Sequence, residues 1–308
     1  MPEAEMNSIS KPDDVSFSAP EGAATEFAAA IEAAIGDAFT PKWDEPMDGE
    51  AVKDAMDRLL VTDRPDRGLD ILVRAGITEV VLPEVFAMVG FGEGIRHKDV
   101  WEHTKKVVRQ SPARLNVRWA ALLHDIGKVP TRRFESGGQV TFIGHPVVGA
   151  RMFGRISSRL QFDKALKKSV RFLIAEHLRA SAFDETWTDS AVRRFAKDVG
   201  EHLDDLLDLS RADITSKYAE KVRRGIRIID GLEARVREIR ALDAKPVPLP
   251  KGLGTAIIDH FQVVPGPKLG ALMTHLKQEV EAGALGVQMA FDHYIEYIET
   301  HRELIADW

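Results

Sequence analysis

Two adjacent ionisable residues, His124 and Asp125, follow an apolar run that ends at Leu123. Imidazole and carboxylate groups are common ligands of divalent metals, and the nearby ammonium group of Lys128 suits a phosphate. Successive side chains on a helix point about 100° apart, so His124 and Asp125 reach one ion only where the helix end bends inward. We assign that bend to Gly127, because glycine tolerates the backbone angles of a helix C-cap. The stretch predicts a metal site beside a phosphate, with further ligands elsewhere in the chain.

Further ionisable residues fall on apolar helix faces. The helical period places four of them among aliphatic neighbours: His103, His124, His177 and Asp213. His103, for example, lies between Val100 and Val107 on one face, and it therefore points inward with them. His145 opens another helix, with Pro146 behind it at a first-turn position. These residues are candidates for the missing ligands.

The burial of so many ionisable groups needs a cause. A single buried histidine usually satisfies a core hydrogen bond, and each of these residues taken singly fits that interpretation. Several histidines and two aspartates on inward faces would each cost on the order of several kcal/mol to desolvate without compensation. A divalent cation provides that compensation. Since the chain has no cysteine, the ligand atoms are nitrogen and oxygen, which leaves Mg, Mn, Fe, Co, Ni and Zn open.

The composition is that of a soluble globular protein. Of the 308 residues, 44% are hydrophobic and 29% are charged, which suits one large domain or two small ones. The net charge of −6 argues against nonspecific binding of nucleic acid, although a local basic patch stays open. We find no apolar run of about 18 residues and no signal peptide. We therefore expect a cytoplasmic protein without a membrane partner, and we leave open whether it forms an oligomer.

The apolar periodicity predicts an all-α protein in four segments. They are a flexible N-terminal part with one helix, a helical connecting region, a helical bundle and a C-terminal helical tail, at residues 1–48, 49–96, 97–243 and 244–308. The predicted helices of the bundle and tail span 98–110, 115–127, 145–160, 164–177, 190–198, 202–216, 219–242, 251–260, 267–282 and 286–301. Glycines between β-favouring residues predict a short pair of strands over 134–142.

One predicted helix carries a basic face. Lys217, Lys221 and Arg224 recur there at helical spacing. Such a face could steer RNA or a nucleotide towards the protein. Glu220 and Asp230 dilute its charge, however, so a solvated helix surface is the favoured interpretation.

The order of the ionisable residues carries a family resemblance. In sequence they are His103, His124, Asp125, His145, His177 and Asp213. This order resembles the HD-domain superfamily of metal-dependent phosphohydrolases. The stretches at 97–104, 122–128, 187–195 and 209–215 more narrowly resemble the C-terminal HD and tail portion of bacterial tRNA nucleotidyltransferases, the CCA-adding and poly(A) polymerase-like family. The resemblance covers roughly residues 50–300.

The resemblance implies an all-α HD-domain helical bundle that binds a divalent metal ion. Carried over residue by residue, it assigns four ligands to that ion: His103, His124, Asp125 and Asp213. His145 and His177 would bind a second metal or the substrate phosphate. Here Gly144 and Pro146 depart from a family that is richer in histidine.

The resemblance also implies which residues act on a substrate. Asp125 and Lys128 would be the catalytic residues, with Lys128 offsetting the charge that develops on the phosphate. Lys128 and Arg194 would also contact the substrate. For Lys128 the alternative is a lysine that interacts with the dipole at a helix C-terminus.

One departure from the family bears directly on function. The catalytic head of these enzymes carries a Gly-Ser turn followed by an Asp-x-Asp pair, and nothing of the kind appears here. We therefore expect a phosphohydrolase acting on nucleotides or on RNA with 2′,3′-cyclic or terminal phosphates, rather than CCA addition by this chain alone. The alternative is a non-polymerising body that binds tRNA or RNA and works with a separate nucleotidyltransferase. A third hypothesis is a degenerate HD protein that serves as a scaffold or ligand sensor.

Overall fold

The computed structural model describes residues 49–92, 99–136, 139–244 and 247–306. The predicted N-terminal segment, residues 1–48, lies outside the described residues. Over the described residues the fold is all-α, as predicted, with one pair of short strands. The chain divides into two compact units at Val236 and Arg237. The finer division into four segments stays a prediction.

The first unit is a helical bundle with one antiparallel hairpin. Its helices are α1 (Gly49–Leu60), α2 (Pro65–Arg74), α3 (Ile77–Val81), α4 (Pro83–Phe86), α5 (Val100–Gln110), α6 (Leu115–Leu123), α7 (Lys128–Thr131), α8 (His145–Arg159), α9 (Lys164–Glu176), α10 (Asp189–Val199), α11 (Leu203–Ala212) and the first part of α12 (Ala219–Ala244). Short 3₁₀ turns lie at Ala180–Ala182 and Gly200–His202. The predicted strand pair is confirmed as β1 (Arg133–Phe134) and β2 (Val140–Thr141).

Helix α6 is the centre of the first unit. Its residues from Val117 to Leu123 are all buried, and α1, α5, α9 and α11 contact it. A helix that is surrounded by others needs apolar side chains around most of its circumference, which α6 provides apart from Arg118. Trp119 packs edge-on against Phe162 at 4.9 Å between ring centroids, and its indole N–H donates to Asp57 at 2.5 Å. Because α6 ends inside the core, the residues that follow it are held in the interior.

The second unit has its own apolar core. Its helices are α13 (Leu253–Phe261), α14 (Pro267–Glu281) and α15 (Phe291–Thr300), followed by a 3₁₀ turn at Arg302–Ile305. The last helix begins at Phe291 rather than at the predicted Gly286, because the intervening residues bond to other segments. The Tyr294 hydroxyl donates to the Gly286 carbonyl at 2.6 Å, and the Gln288 amide donates to Pro248 at 3.2 Å. Neither pattern is compatible with a continuous helix.

None of the helices in the described part of the chain has the length and hydropathy that a bilayer crossing requires.

Arg118 is a buried cation that ties α6 to two neighbouring turns. It is 5% exposed, and its guanidinium donates to the carbonyl oxygens of Leu60 at 2.7 Å and Ser111 at 2.8 Å. Burial lowers the pKa of this guanidinium. Those carbonyl groups lie where helices end, so Arg118 satisfies acceptors that have no partner within a helix.

We expect Arg118→Met to lower the free energy of unfolding by about 2–4 kcal/mol, because it leaves buried carbonyl groups unpaired. Urea unfolding followed by circular dichroism measures this loss. The matched control is Arg114→Met, since Arg114 is 44% exposed and pairs with Asp208 at the surface. It should cost no more than about 1 kcal/mol. Equal losses from the two variants would contradict the structural role of Arg118.

Candidate metal centre

The chain turns where α6 ends, and this turn carries His124 and Asp125. Leu123 is the last helical residue, and the amide of Lys128 donates to the carbonyl oxygen of Asp125 at 2.9 Å. Both ionisable side chains are buried, each residue being 1% exposed. Nε2 of His124 lies 3.2 Å from Oδ2 of Asp125. The turn therefore brings two adjacent side chains to one point.

Two other elements deliver His103 and Asp213 to the same point. His103 belongs to α5, and Asp213 follows the last residue of α11. Nε2 of His103 lies 3.3 Å from Nε2 of His124 and 3.5 Å from Oδ2 of Asp125. Oδ1 of Asp213 lies 2.9 Å from Nε2 of His103 and 3.6 Å from Nε2 of His124. The structure thus brings together all four predicted ligands of the first metal.

A second group of ligand atoms shares Asp125. His145 opens α8 and His177 follows the end of α9, and their Nε2 atoms lie 3.3 Å apart. Nε2 of His145 lies 3.5 Å from Oδ1 of Asp125. The ligand atoms of these three buried residues all lie within 4.8 Å of one another, as do those of Asp125 with His103 and His124. Gly144 assists by adopting a φ of 81° before α8, a conformation that favours glycine.

The second ring nitrogen of each histidine is held outside the cluster. Nδ1 of three of them donates to the carbonyl oxygen three residues earlier: His124 to Ala121 at 2.8 Å, His145 to Phe142 at 2.9 Å and His177 to Ile174 at 2.7 Å. A carbonyl oxygen only accepts, so Nδ1 carries the proton and Nε2 turns to the cluster. Such contacts orient metal-binding histidines.

Thr215 holds the fourth histidine, and the sequence alone gave it no role. Its hydroxyl pairs with Nδ1 of His103 at 2.7 Å, and its carbonyl accepts from Lys106 at 3.3 Å. Thr215 lies two residues beyond Asp213 in the stretch 209–215 that carries the family resemblance. Its place in that stretch was the only sequence feature that could have indicated a role for Thr215, since a single hydroxyl residue has no periodicity to distinguish it.

The electrostatics of the cluster fit a bound cation. Oδ2 of Asp125 is buried, and the nitrogen atoms that face it are Nε2 of His124 at 3.2 Å and Nζ of Lys128 at 3.0 Å. Burial by itself raises the pKa of both carboxyls, but contacts with His124 hold the pKa of Asp125 far below its usual range, and contacts with His103 do so for Asp213. The two carboxylates are therefore ionised, and they need positive charge beside them.

The pKa of His124 is raised in this cluster, whereas the pKa values of His145 and His177 are lowered. Burial lowers the pKa of His124, but the charge of Asp125 and its hydrogen bonds outweigh burial and raise that pKa to about 10. Burial lowers the pKa of His177 to about 4, and it also lowers the pKa of His145. His145 and His177 are thus neutral at pH 7, the form that binds a metal, and a cation would replace the proton of His124.

Lys128 lies beside the cluster, whereas Arg194 does not join it. Nζ of Lys128 lies 3.0 Å from Oδ2 of Asp125 and 5.5 Å from the ring centroid of Phe142. Arg194 is exposed on α10, whereas its neighbour Phe195 is buried, and Arg194 is not among the residues that converge on Asp125. Its contact with a substrate stays a prediction.

Gly127 is needed at the turn, but for another reason than the predicted C-cap bend. Its φ of −67° and ψ of −17° are ordinary right-handed values, so that prediction was wrong. A Cβ atom at Gly127 would lie 2.1 Å from the carbonyl oxygen of His145 and 2.7 Å from the amide nitrogen of Gly149. Glycine is required because the backbone of α8 passes directly against the turn. This close approach brings His145 within reach of Asp125.

A comparison with protein families agrees with this geometry. The family model described as HD domain matches residues 96–218. The chain contains an HD domain. The matched region includes both groups of ligand atoms, together with Lys128 and the hairpin that follows it.

Curated relatives extend the similarity beyond the HD domain. A CC-adding tRNA nucleotidyltransferase of Thermus thermophilus is 30% identical over 269 residues, which are 83% of this chain and 58% of that protein. An A-adding tRNA nucleotidyltransferase of Deinococcus radiodurans is 33% identical over 245 residues, 77% of this chain and 55% of that protein. A multifunctional CCA protein of Pseudomonas fluorescens is 33% identical over 113 residues, 35% of this chain and 27% of that protein. The chain thus matches little more than half the length of the first two relatives.

We expect Gly127→Ala to lower the free energy of unfolding by about 2–4 kcal/mol, because the added methyl group forces α8 away from the turn. Urea unfolding measures this change. Gly154→Ala is the matched control, since it lies within α8 and a Cβ there meets nothing within 4 Å. It should be neutral or stabilising by up to about 1 kcal/mol. If both variants unfolded like the original chain, the close approach would not constrain the site.

Proposed function

We propose that this chain is a metal-dependent phosphohydrolase that acts on nucleotides or on RNA with terminal or 2′,3′-cyclic phosphates. The observation that carries the proposal is the sharing of Asp125 between two groups of ligand atoms. His103 and His124 form one group with it, and His145 and His177 form the other. The presence of an HD domain supports a metal-dependent hydrolase in particular.

In the proposed enzyme the two groups hold one divalent ion each. Asp213 completes the first group through its contacts with His103 and His124. A donor set with four imidazoles favours Mn, Fe, Co, Ni or Zn over Mg, which prefers oxygen. When bound, such ions polarise a phosphoryl oxygen and lower the pKa of a water molecule. Asp125 bridges the two groups and keeps their nitrogen atoms facing one another.

Lys128 is the residue that meets the phosphate in this proposal. Its side chain is 15% exposed, in contrast to the fully covered Asp125 with which it pairs at 3.0 Å. The ion pair fixes the ammonium group at the edge of the cluster. From there Lys128 offsets the negative charge that develops on the phosphoryl oxygens.

The choice of substrate class rests on the relatives. Two proteins that match most of this chain are named for adding CC or A to tRNA. Their similarity supports a substrate that contains a nucleotide or an RNA end. The Asp-x-Asp motif of a polymerising head is absent from these 308 residues. We therefore assign removal of phosphate, rather than addition of nucleotides, to the described residues.

The purified chain should retain a divalent metal and hydrolyse a phosphoester bond in at least one member of a panel of nucleoside 2′,3′-cyclic phosphates and monophosphates. Asp125→Asn should lose both ions and at least about a thousandfold in activity, since Asp125 belongs to both groups. His177→Asn should lose one ion of two. Mass spectrometry measures the metal content. Chromatography detects the monophosphate formed from a cyclic substrate, and release of inorganic phosphate reports hydrolysis of a monophosphate.

Asp204→Asn serves as the control for charge, because Asp204 is exposed in the first turn of α11, at the opposite end of that helix from Asp213. It should keep both the metal and the activity. A chain that binds no metal and hydrolyses no substrate in the panel would overturn the proposed hydrolase.

A second candidate function is RNA binding alongside a separate nucleotidyltransferase. Tyr218 is 55% exposed, and the ammonium groups of Lys217 and Lys221 lie 5.3 Å and 5.2 Å from its ring centroid. Aromatic rings flanked by cations stack on bases of single strands. Arg223 and Arg227 instead pair with Glu220, which limits the basic face to this smaller patch.

The double variant Tyr218→Ala/Lys221→Ala should weaken binding of a tRNA transcript by about tenfold, because it removes one stacking surface and one charge. Electrophoretic mobility shift at fixed salt measures the affinity. Lys197→Ala removes one exposed charge from another helix and is the control. Unchanged affinity in the double variant would remove this patch from the candidates.

A further inference from the structure

Cations and aromatic rings line a path that leads from Asp125 to the surface hairpin. Lys128 pairs with Asp125 and lies over the ring of Phe142 at 5.5 Å. The ring of Phe142 lies 6.4 Å from that of Phe91, measured between centroids. The path continues from Phe91 to Arg132 and ends at Phe134.

Arg132 lies between two rings at the outer end of this path. Its guanidinium carbon is 4.2 Å from the ring centroid of Phe91 and 5.3 Å from that of Phe134. Phe134 is the partner of Val140 in the hairpin, and it is 70% exposed. Its ring therefore has one face towards Arg132 and much of its surface open to solvent.

We infer that this path, from Lys128 through Phe142, Phe91 and Arg132 to Phe134, binds the base of the phosphate-containing substrate. The inference rests on the proposed function, since it names the part of the protein that holds the nucleotide beside the reacting phosphate. A nucleotide carries a flat π-face and an anionic group on one molecule. Exposed rings bind the former and cations bind the latter.

The composition of the path favours a nucleotide over an apolar partner. Lys128 and Arg132 each lie over a ring of the path, and Arg133 is exposed next to them. An apolar ligand would desolvate the guanidinium groups of Arg132 and Arg133 and offer no negative charge in return. Every base presents a π-face, so we expect binding with little preference among the four bases.

The test compares ligands with and without a base. Adenosine monophosphate and ribose 5-phosphate share the phosphate and the sugar, and isothermal titration gives the affinity of each for the full chain. We expect Phe134→Leu to lower the affinity for adenosine monophosphate about five- to tenfold and to leave the affinity for ribose 5-phosphate unchanged. Phe134→Trp should restore the affinity, because it keeps an aromatic ring. Val264→Ala, at a residue that is 83% exposed in the second unit, is the control.

Titration with a dinucleotide shows whether the base that Phe134 contacts belongs to a mononucleotide or to the end of an RNA strand. If Phe134→Leu lowers the affinity for the dinucleotide but not for adenosine monophosphate, Phe134 stacks on the second base of a strand. Base stacking is still supported by that result. If the original chain binds adenosine monophosphate no more tightly than ribose 5-phosphate, or if Phe134→Leu binds every ligand as the original does, the inference is overturned.

Failure of the proposed function has a separate signature. The original chain could lack both metal and phosphatase activity while Phe134→Leu still weakens the binding of adenosine monophosphate. That result would support the base-binding site and overturn the proposed hydrolase. Thermal unfolding of each variant verifies that the hairpin change leaves the fold intact, which the high exposure of Phe134 leads us to expect.

Discussion

The ionised carboxylate of Asp125 is the constraint on which the rest of the HD domain depends. It is 1% exposed, and its charge must be balanced within the interior. His103, His124, His145 and Lys128 all bring nitrogen atoms to within 3.5 Å of its two oxygens. The same arrangement that a metal site requires is also the one that makes a buried carboxylate tolerable. The buried charge of Asp125 thus accounts both for the packing of nitrogen atoms around it and for the proposed metal binding.

Backbone contacts, rather than long side chains, bring the ligands together. Helix α6 ends in the core and supplies the turn, while α5, α8, α9 and α11 each contribute one ligand from a helix or its end. Three histidines are oriented by carbonyl groups of their own preceding turns. Gly127 permits the closest of these approaches, because any Cβ there would collide with the start of α8. The geometry of the site is consequently inseparable from the packing of the bundle.

The layout around the cluster separates two tasks. The buried side holds the ligand atoms and their carbonyl partners. The outer side, from Lys128 to Phe134, presents cations and rings to solvent. Apart from Phe91, the residues of both sides lie within the region matched as an HD domain, whereas the similarity to tRNA nucleotidyltransferases extends beyond it. A phosphate-directed HD domain with its own nucleotide surface is consistent with both comparisons.

The sequence by itself determined the all-α class, the inward faces of the ionisable residues and a strand pair, predicted over 134–142 and found at 133–141, because helical and strand periodicity are local properties. It also singled out His103, His124, Asp125 and Asp213, whose distances the structure then provided. Only the tertiary structure decided why Gly127 is glycine, which hydroxyl orients His103 and whether Arg194 reaches the cluster. These depend on backbones that approach across distant parts of the chain, and no local period encodes such an approach. Tertiary packing also decided that one carboxylate, Asp125, would serve two groups of ligands.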